Sequence, residues 1–228
     1  MRAYKGFTFD FETIAQELYR VTKPGGVLVW IVADATVKGS ETGTSFKQAL
    51  YFKECGFNLH DTMIWDKGGF TATGSLKVRY ASYFEYMFVL SKGSPKSFHP
   101  IKDRLNKQAG TKQHGTVRNT DGSMKPISNP GRLIAEFGQR SNIWSVPPEK
   151  SNTIQREAGK HPAIFPQRLA QDHILSWSNP SDLVLDPFLG SGTTAKMALA
   201  NNRRFIGIEI SSEYVDIAKA RLEHWKSE

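Results

Sequence analysis

A chain of 228 residues with 39% hydrophobic and 23% charged residues has the size and composition of a globular protein with one sizeable core. No apolar run approaches the roughly 20 residues of a membrane-spanning helix, and the first residues lack the apolar stretch of a signal peptide, so we expect neither. The single cysteine, Cys55, precludes an internal disulfide and indicates a reducing cytoplasm. The six histidines lack the spacing of metal ligands, which predicts no bound metal.

The net charge of +8 is concentrated in one quarter of the chain. Residues 92–150 contain eleven basic and four acidic residues, so this segment carries +7. A polyanion such as nucleic acid is the partner that this segment favours, because neutralising phosphates releases their counterions. A flexible basic loop that is merely well solvated would have the same composition, so the charge alone leaves both interpretations open.

The first ninety or so residues alternate between helix and strand patterns, which predicts an α/β sheet. A helix is predicted over Phe11–Val21, since its apolar residues recur on one helical face and Asp10 is a suitable N-cap. Val27–Val32 is apolar throughout and is predicted to be a strand buried on both faces. Further elements are predicted in sequence order: a helix over residues 45–55 and strands over residues 59–65 and 83–90.

Two polar, glycine-containing loops follow predicted strands, over residues 34–45 and 66–79. Open α/β sheets bind ligands at this edge, although a solvated connection would have the same composition. Periodicity is then lost between about residues 93 and 146, which predicts a loop-rich insert. The regular pattern returns with helices over residues 166–177 and Thr193–Ala200, a strand over residues 205–210, and a last helix starting at Ser211 or Ser212.

One stretch near the end of the chain has the pattern of a ligand-binding turn. It reads Leu183-Val184-Leu185-Asp186-Pro187-Phe188-Leu189-Gly190-Ser191-Gly192-Thr193-Thr194. An apolar strand, two glycines and a helix N-terminus follow one another, so a ligand can contact bare backbone there. Glu209 comes about twenty residues later in the next predicted strand, where an acid can accept hydrogen bonds from ribose hydroxyls. The turn matches neither the dinucleotide fingerprint nor the phosphate loop, which favours an adenosine ligand without a pyrophosphate.

The segment from Asp186 to Thr194 resembles the S-adenosylmethionine motif of bacterial and phage amino-methyltransferases acting on adenine N6 or cytosine N4 in DNA. It resembles in particular the permuted group whose motif lies near the C-terminus, and the resemblance extends to residues 160–166 and 19–26. It implies a Rossmann-like methyltransferase sheet in an α/β fold, mostly parallel with one antiparallel strand. The implied parts are a catalytic-side half without its first strands, an inserted target-recognition region and a cofactor-binding half: residues 1–92, 93–146 and 147–228.

The resemblance also implies roles for individual residues. Those expected to hold S-adenosylmethionine, including the acid for its ribose and a segment closing over it, are Asp186, Pro187, Phe188, Gly190, Ser191, Gly192, Thr193, Thr194, Glu209, His161, Pro162 and Phe165. Those expected to contact DNA are Arg104, Lys107, Lys112 and Arg118. Structural interpretations stay open for three residues, since Asp186 can cap the turn, Phe165 can belong to the core and Glu209 can be a solvated strand end.

The family's catalytic motif, an Asp, Asn or Ser followed by two prolines and an aromatic residue, has no acceptable copy in this sequence. In the family, its first side chain and a proline carbonyl accept the amine protons, while the aromatic ring stacks on the flipped base. The two nearest matches, residues 145–149 and 178–181, lack the aromatic residue and fit a linker and a helix end. We therefore predict no catalytic residue in this chain.

In the resembling group this motif comes immediately before a segment like residues 2–7. The motif and its strand would then precede Met1, and the strand that ends at Asp186 would lack one neighbour. We therefore expect a truncated reading frame, a misassigned start, or a split gene completed by another chain.

The sequence as a whole predicts a site-specific methyltransferase for adenine N6 or cytosine N4 in double-stranded DNA, present without its catalytic motif. Its expected location is the bacterial cytoplasm, whether the gene is bacterial or phage-borne. A remnant that binds cofactor and DNA without catalysis, or one subunit of a split methyltransferase, is the alternative. Methylation of RNA or protein is a third possibility, and both a homodimer and a complementing chain remain open.

Overall fold

The computed structural model describes residues 9–69, 77–148 and 165–227, and these form two compact units. The insert unit is Pro100–Ser141, and the main unit combines the described residues before it with those after it. The main unit begins with α1 (Phe11–Val21), β1 (Val27–Val32), β2 (Thr36–Val37), β3 (Ser40–Glu41), α2 (Thr44–Glu54), β4 (Asn58–Asp66) and β5 (Phe84–Ser91). The insert unit contains β6 (Arg104–Leu105), β7 (Thr116–Arg118), β8 (Met124–Pro126) and β9 (Phe137–Gly138). The main unit then continues with β10 (Ile143–Ser145), α3 (Gln167–Trp177), β11 (Leu183–Asp186), α4 (Thr193–Ala200), β12 (Arg204–Gly207) and α5 (Ser212–Ser227).

The described residues of the main unit form three sheets: a four-stranded sheet, a parallel pair of strands, and a short antiparallel pair, β2 with β3. Four strands pair in the order β1-β5-β4-β10, in which β5 runs antiparallel to both of its neighbours and β10 runs parallel to β4. The strands β11 and β12 form a separate parallel pair. The predicted α/β class, with a mostly parallel sheet and one antiparallel strand, is therefore confirmed.

Helices cover both faces of the four-stranded sheet. Side chains alternate along a strand, so Phe88 shares one face with Trp30, to which it is paired in register. This face packs on α1 and α2 in a cluster that includes Phe11 and Phe52. On the opposite face, Met87 Sδ lies 3.2 Å from Nε2 of His173 in α3. The sheet is thus the middle layer of an α/β sandwich.

The first helix has the bounds that its apolar periodicity predicts. The Asp10 carboxylate accepts hydrogen bonds from the backbone N (3.3 Å) and the hydroxyl (2.7 Å) of Thr13. These bonds lower the pKa of Asp10 and satisfy a backbone donor of the first turn. The helix buries Phe11, Ala15 and Leu18, which lie on one face at a spacing of four and three residues.

The strand β1 is correctly predicted, but the prediction that it is buried on both faces is wrong. Every residue of Val27–Val32 is only half-buried. Among the described residues, β5 is its single strand neighbour, so its other edge is left open. An apolar run reports the polarity of a strand's surroundings, but it does not report how many edges are paired.

The strand predicted over residues 205–210 ends earlier, and Glu209 lies beyond it. The strand β12 stops at Gly207, where an added Cβ would lie 2.5 Å from Cδ2 of Leu189. One more backbone hydrogen bond to β11 follows, in which the backbone N of Ile208 donates to the carbonyl of Asp186 at 2.9 Å. The other predicted elements are found with ends shifted by at most one residue, and the last helix starts at Ser212 as expected.

The insert unit consists of short antiparallel pairs joined by loops. The strand β6 pairs with β9, β7 pairs with β8, and Lys112 forms an isolated bridge with Leu133. The Arg140 side chain, which is 15% exposed, forms an ion pair with Asp103. The predicted insert over residues 93–146 is longer than this unit at both ends. At the N-terminal end the backbone of His99 bonds to the end of α3, and at the C-terminal end β10 joins the main sheet.

Candidate cofactor site

The predicted ligand-binding turn connects the end of β11 with the start of α4. The Asp186 carboxylate accepts a hydrogen bond from the backbone N of Phe188 at 2.9 Å, which starts the turn. Asp186 therefore caps the turn, one of the two interpretations that the sequence left open. The turn is buried from Gly190 to Thr193, whereas Pro187 and Thr194 are half-buried.

Gly192 occupies a position that a larger residue fits poorly. Its φ of 83° lies in the left-handed region, which glycine adopts without a steric cost. A Cβ added there would lie 3.0 Å from Cβ and 3.3 Å from Cα of Ala218 in α5. The backbone of the turn therefore packs closely against α5 at this point.

Glu209 binds this turn directly. One carboxylate oxygen, Oε2, accepts a hydrogen bond from the backbone N of Gly190 at 2.8 Å. The other, Oε1, accepts one from the backbone N of Ser211 at 2.9 Å. A carboxylate oxygen has a second lone pair, so each oxygen can accept one more hydrogen bond, for example from a ribose hydroxyl. Glu209 is half-buried and held by two hydrogen bonds, so it is not a solvated strand end, which was the other interpretation of the sequence.

Ser191 and Thr193 face the protein interior. Their residues are only 5% and 4% exposed. Nη1 of Arg221 in α5 donates to Thr193 Oγ1 at 2.9 Å and to both the carbonyl and the hydroxyl of Ser191 at 3.2 Å. Arg221 was not predicted from the sequence. The signal that could have found it is helical spacing, since Tyr214, Ala218 and Arg221 share one face of α5.

Two predicted aromatic residues lie in different surroundings. The Phe188 side chain is 47% exposed, and its ring centroid lies 5.6 Å from that of Phe9 and 6.0 Å from that of Trp30. Phe165 is half-buried, its ring lies 6.0 Å from that of Trp65, and it packs on the cluster formed by α3 and α4. Phe188 is thus at the surface beside the turn and Phe165 is part of the packing. His161 and Pro162 lie outside the described residues.

The strand that leads into the turn, β11, has one hydrogen-bonded strand neighbour among the described residues, β12. Leu185 of β11 packs on the cluster that also contains Trp30 and Val32 of β1. The two strands nevertheless belong to different sheets, and within the described ranges each has a single hydrogen-bonded strand neighbour. Two apolar strands thus lie near each other with unpaired backbone edges. Such edges normally pair with another strand.

Two more carboxylates lie where β1 and β4 end, at the same edge of the sheet. Burial tends to raise the pKa of Asp34, but hydrogen bonds from Ser45 and Thr42 outweigh it, so the pKa is lowered. The Ser145 hydroxyl donates to Asp66 at 2.6 Å and lowers the pKa of that carboxyl. Both carboxylates organise loops, and the sequence had indicated only that those loops lie at the ligand-binding edge.

Of the predicted DNA contacts, the structure brings two together in the insert unit. Arg104 and Lys107 line a groove of about 490 Å³ with Leu105, Asn106, Gln108 and Ile134. Arg118 lies in β7 and Lys112 at the bridge to Leu133, and both side chains are exposed. Asp103 is paired with Arg140, and Asp121 accepts two hydrogen bonds from Ser123 in its own turn. Two of the acidic groups in this unit are therefore engaged internally.

Neither a metal cluster nor a membrane span is found in the described part of the chain. No group of three or more His, Cys, Asp or Glu side chains is placed there to hold a metal ion. None of the helices described combines the length and hydrophobicity that a membrane span requires.

Comparison with known proteins gives a family match and several relatives. A family model described as "DNA methylase", for N6 and N4 methyltransferases, matches residues 2–220. The orphan methyltransferase M.BamHII of Bacillus amyloliquefaciens is 56% identical over 228 residues, which are 99% of this chain and 85% of that protein. The DNA adenine methyltransferase YhdJ of Escherichia coli (strain K12) is 33% identical over 181 residues, or 75% of this chain. The crystal structure of the M1.HpyAVI-SAM complex superposes with a TM-score of 0.60 at 23% identity, covering 94% of this chain and 84% of that one.

Several of these relatives are longer than the chain. It spans 56% of the length of YhdJ and about half the length of three type II methyltransferases. The solved structure shares less than a quarter of its residues with this chain, so it supports the fold and no more.

Proposed function

We propose that this chain, which belongs to the N6/N4 DNA methylase family, binds S-adenosylmethionine at the turn between β11 and α4 and serves methyl transfer to an amino nitrogen of a base in double-stranded DNA. The observation that carries the proposal is the bond between the Glu209 carboxylate and the turn at Gly190. It supports the proposal because an acid that can accept hydrogen bonds from ribose hydroxyls lies next to backbone N–H donors at a helix N-terminus, and an adenosine with an amino-acid tail requires both.

The residues of the turn fit S-adenosylmethionine at both of its ends. The spare lone pairs of Glu209 suit the two ribose hydroxyls, which donate hydrogen bonds. The carboxylate of the methionine part suits the N-terminus of α4, where unpaired backbone N–H groups and the helix dipole attract an anion. Exposed Phe188 beside the turn offers an apolar surface to the rest of the ligand.

The bound cofactor supplies a methyl group on a positively charged sulfur. The amino nitrogen of adenine or cytosine is a weak nucleophile, because its lone pair is delocalised into the ring. An enzyme must therefore accept the amine's protons and hold the nitrogen in line with the methyl group. Residues of the turn hold and orient the methyl donor, while the acceptor of the amine protons belongs to the Pro-Pro-aromatic motif of which the sequence has no acceptable copy.

The proposal therefore includes a further parallel strand, ending in that motif, between β1 and β11. Among the described residues each of these strands has a single paired neighbour, and Leu185 of β11 packs on the cluster that includes Trp30 of β1. All six residues of β1 are apolar and half-buried, as expected when one neighbouring strand is not in place. A motif at the C-terminal end of such a strand would lie beside Asp186 and Phe188, at the edge where the cofactor binds. The strand can come from the same reading frame or from a second polypeptide.

The insert unit is the proposed DNA-recognition part. It carries eight basic and three acidic residues, or +5 of the net charge of +8. Exposed cations neutralise phosphates without needing any one base sequence. A bacterial cytoplasm is the proposed location, since the relative M.BamHII comes from a bacterium.

The test is transfer of labelled methyl from S-adenosylmethionine to unmethylated double-stranded DNA. The chain of 228 residues is compared with a version extended upstream through its native reading frame. Activity confined to the extended version would support both the family activity and the missing strand. Activity of the short chain alone would refute the claim that its catalytic motif is absent. RNA and protein substrates in parallel reactions serve as controls for the polymer.

A non-catalytic role is the second candidate, either as a remnant or as one subunit of a two-chain enzyme. The observation that favours it is the absence of the Pro-Pro-aromatic motif from the sequence. Binding of cofactor and DNA with no transfer by either version would support the remnant. Transfer that appears only when a second polypeptide is added would support the split enzyme.

A further inference from the structure

We propose that Arg221 is a positioning residue for the cofactor turn, holding it in the shape that receives the carboxylate of S-adenosylmethionine. The inference rests on the proposed function, since it concerns the same ligand. Arg221 lies outside the motif, in the last helix. Its substitution is expected to weaken the binding of the methionine part of the cofactor and to leave the binding of the adenosine part unchanged.

Three hydrogen bonds of Arg221 are made to the turn itself. Its Nη1 lies 2.9 Å from Thr193 Oγ1 and 3.2 Å from both oxygens of Ser191. These acceptors lie on both sides of Gly192, so one guanidinium nitrogen joins the residues before and after it. A guanidinium is planar and permanently charged, which suits it to several acceptors at fixed angles. The turn cannot open at this point without losing these bonds.

Arg221 makes one of three contacts with the turn that come from the segment following β12. Glu209 holds the backbone N of Gly190 at 2.8 Å. Ala218 lies against Gly192, whose added Cβ would be 3.0 Å from its own. Arg221 holds the residues on either side. Ala218 and Arg221 lie on one face of α5, so this helix supports the turn as a single element.

The charge of Arg221 indicates a role beyond packing. A cation beside a helix N-terminus opposes the helix dipole, so stability alone would favour a neutral hydrogen-bond donor there. The same cation raises the positive potential at the N-terminus of α4, where the cofactor's carboxylate is proposed to lie. An arginine at this position therefore combines shaping of the turn with attraction of an anion.

The experiment measures dissociation constants by titration calorimetry for two ligands, S-adenosylmethionine and 5′-methylthioadenosine, which lacks the amino-acid part. The variants are Arg221→Met, Arg221→Lys and, as a control, Lys219→Met, which removes the same charge from an exposed position two residues away. Arg221→Met is expected to weaken S-adenosylmethionine binding about tenfold or more, as for the loss of a charged hydrogen bond. Arg221→Lys is expected to lie between Met and wild type, while Lys219→Met binds normally. Affinity for 5′-methylthioadenosine is expected to change less than threefold in every variant, roughly the size of an effect without a lost contact.

Several outcomes would overturn the inference. Both Arg221 variants could bind S-adenosylmethionine as the wild type does, or they could lose both ligands equally, which would indicate a general structural role. Circular dichroism checks folding, and if Arg221→Met does not fold, Arg221→Lys is judged by the same two criteria. A wild-type chain that binds neither ligand would overturn the proposed function as well, which separates that failure from a failure of Arg221 alone.

Discussion

Replacing Gly192 by alanine should destabilise the protein through two separable effects. The left-handed φ of 83° costs a residue with a Cβ about 1 to 2 kcal/mol. The new Cβ also lies 3.0 Å from Cβ of Ala218, in a place where neither backbone can move easily. Overpacking of this kind costs about 1 to 3 kcal/mol. The expected loss in the free energy of unfolding is therefore about 2 to 5 kcal/mol, with weaker binding of S-adenosylmethionine.

Urea denaturation followed by tryptophan fluorescence measures this loss. Gly39→Ala is the matched control, because its φ of 80° is similar but nothing lies within 4 Å of the added Cβ. Gly39→Ala should cost only the conformational part, about 1 to 2 kcal/mol. Adding Ala218→Gly to Gly192→Ala should recover part of the difference, since it removes the nearest atom. If Gly192→Ala costs no more than Gly39→Ala, the tight contact between the turn and α5 is not real.

Three further changes test other parts of the structure. Arg203→Ala should lower the free energy of unfolding by about 2 to 3 kcal/mol, measured by urea denaturation. The reason is that this residue is 7% exposed and its guanidinium donates to the Ser178 hydroxyl and carbonyl. An unchanged midpoint of urea unfolding would argue that these hydrogen bonds do not stabilise the fold. The lowered pKa of Asp34 should contribute stability that is present above its ordinary value of 3.8 and is lost as the pH falls through the folded-state pKa. Asp34→Asn should reduce the fall in the free energy of unfolding at acid pH. If the free energy of unfolding depends on pH identically in both proteins, the hydrogen bonds assigned to the carboxylate are contradicted. The double variant Arg104→Ala, Lys107→Ala should weaken DNA binding for all sequences and lower the slope of log affinity against log salt by about 1 to 2, measured by fluorescence anisotropy; an unchanged slope would remove this groove from the DNA contact.

Local patterns predicted the helices better than the strand edges. In α1 the cap at Asp10 and the apolar face act within a few residues, so the sequence predicts both the element and its bounds. The pairing of β1 depends on which strands lie beside it, and its apolar run predicted more burial than it has. The end of β12 was missed for a related reason. The strand ends at Gly207, where Leu189 of the turn lies so close that an added Cβ would be 2.5 Å from its Cδ2, and such a contact between distant residues cannot be read from the strand's own sequence.

The turn between β11 and α4 likewise has features that the sequence predicts and contacts that it does not. Its glycines, its place between a strand and a helix, and the acid about twenty residues later are all readable from the sequence, and they identified the family and the ligand class. The sequence did not reveal that the Glu209 carboxylate binds the backbone of the turn at Gly190. It also did not reveal that Ser191 and Thr193 turn inward to Arg221.

The sequence by itself determined the element types, the turn of two glycines between a strand and a helix, and the concentration of positive charge, because each of these is a property of neighbouring residues. Only the tertiary structure decided which residues support the turn and which strand edges stay open. Those features depend on contacts between segments far apart in the chain, such as Arg221 with Thr193 and Leu185 with the cluster around Trp30. Hydrophobic periodicity records that a side chain is buried, but the partner it meets is set by how helices and strands pack together.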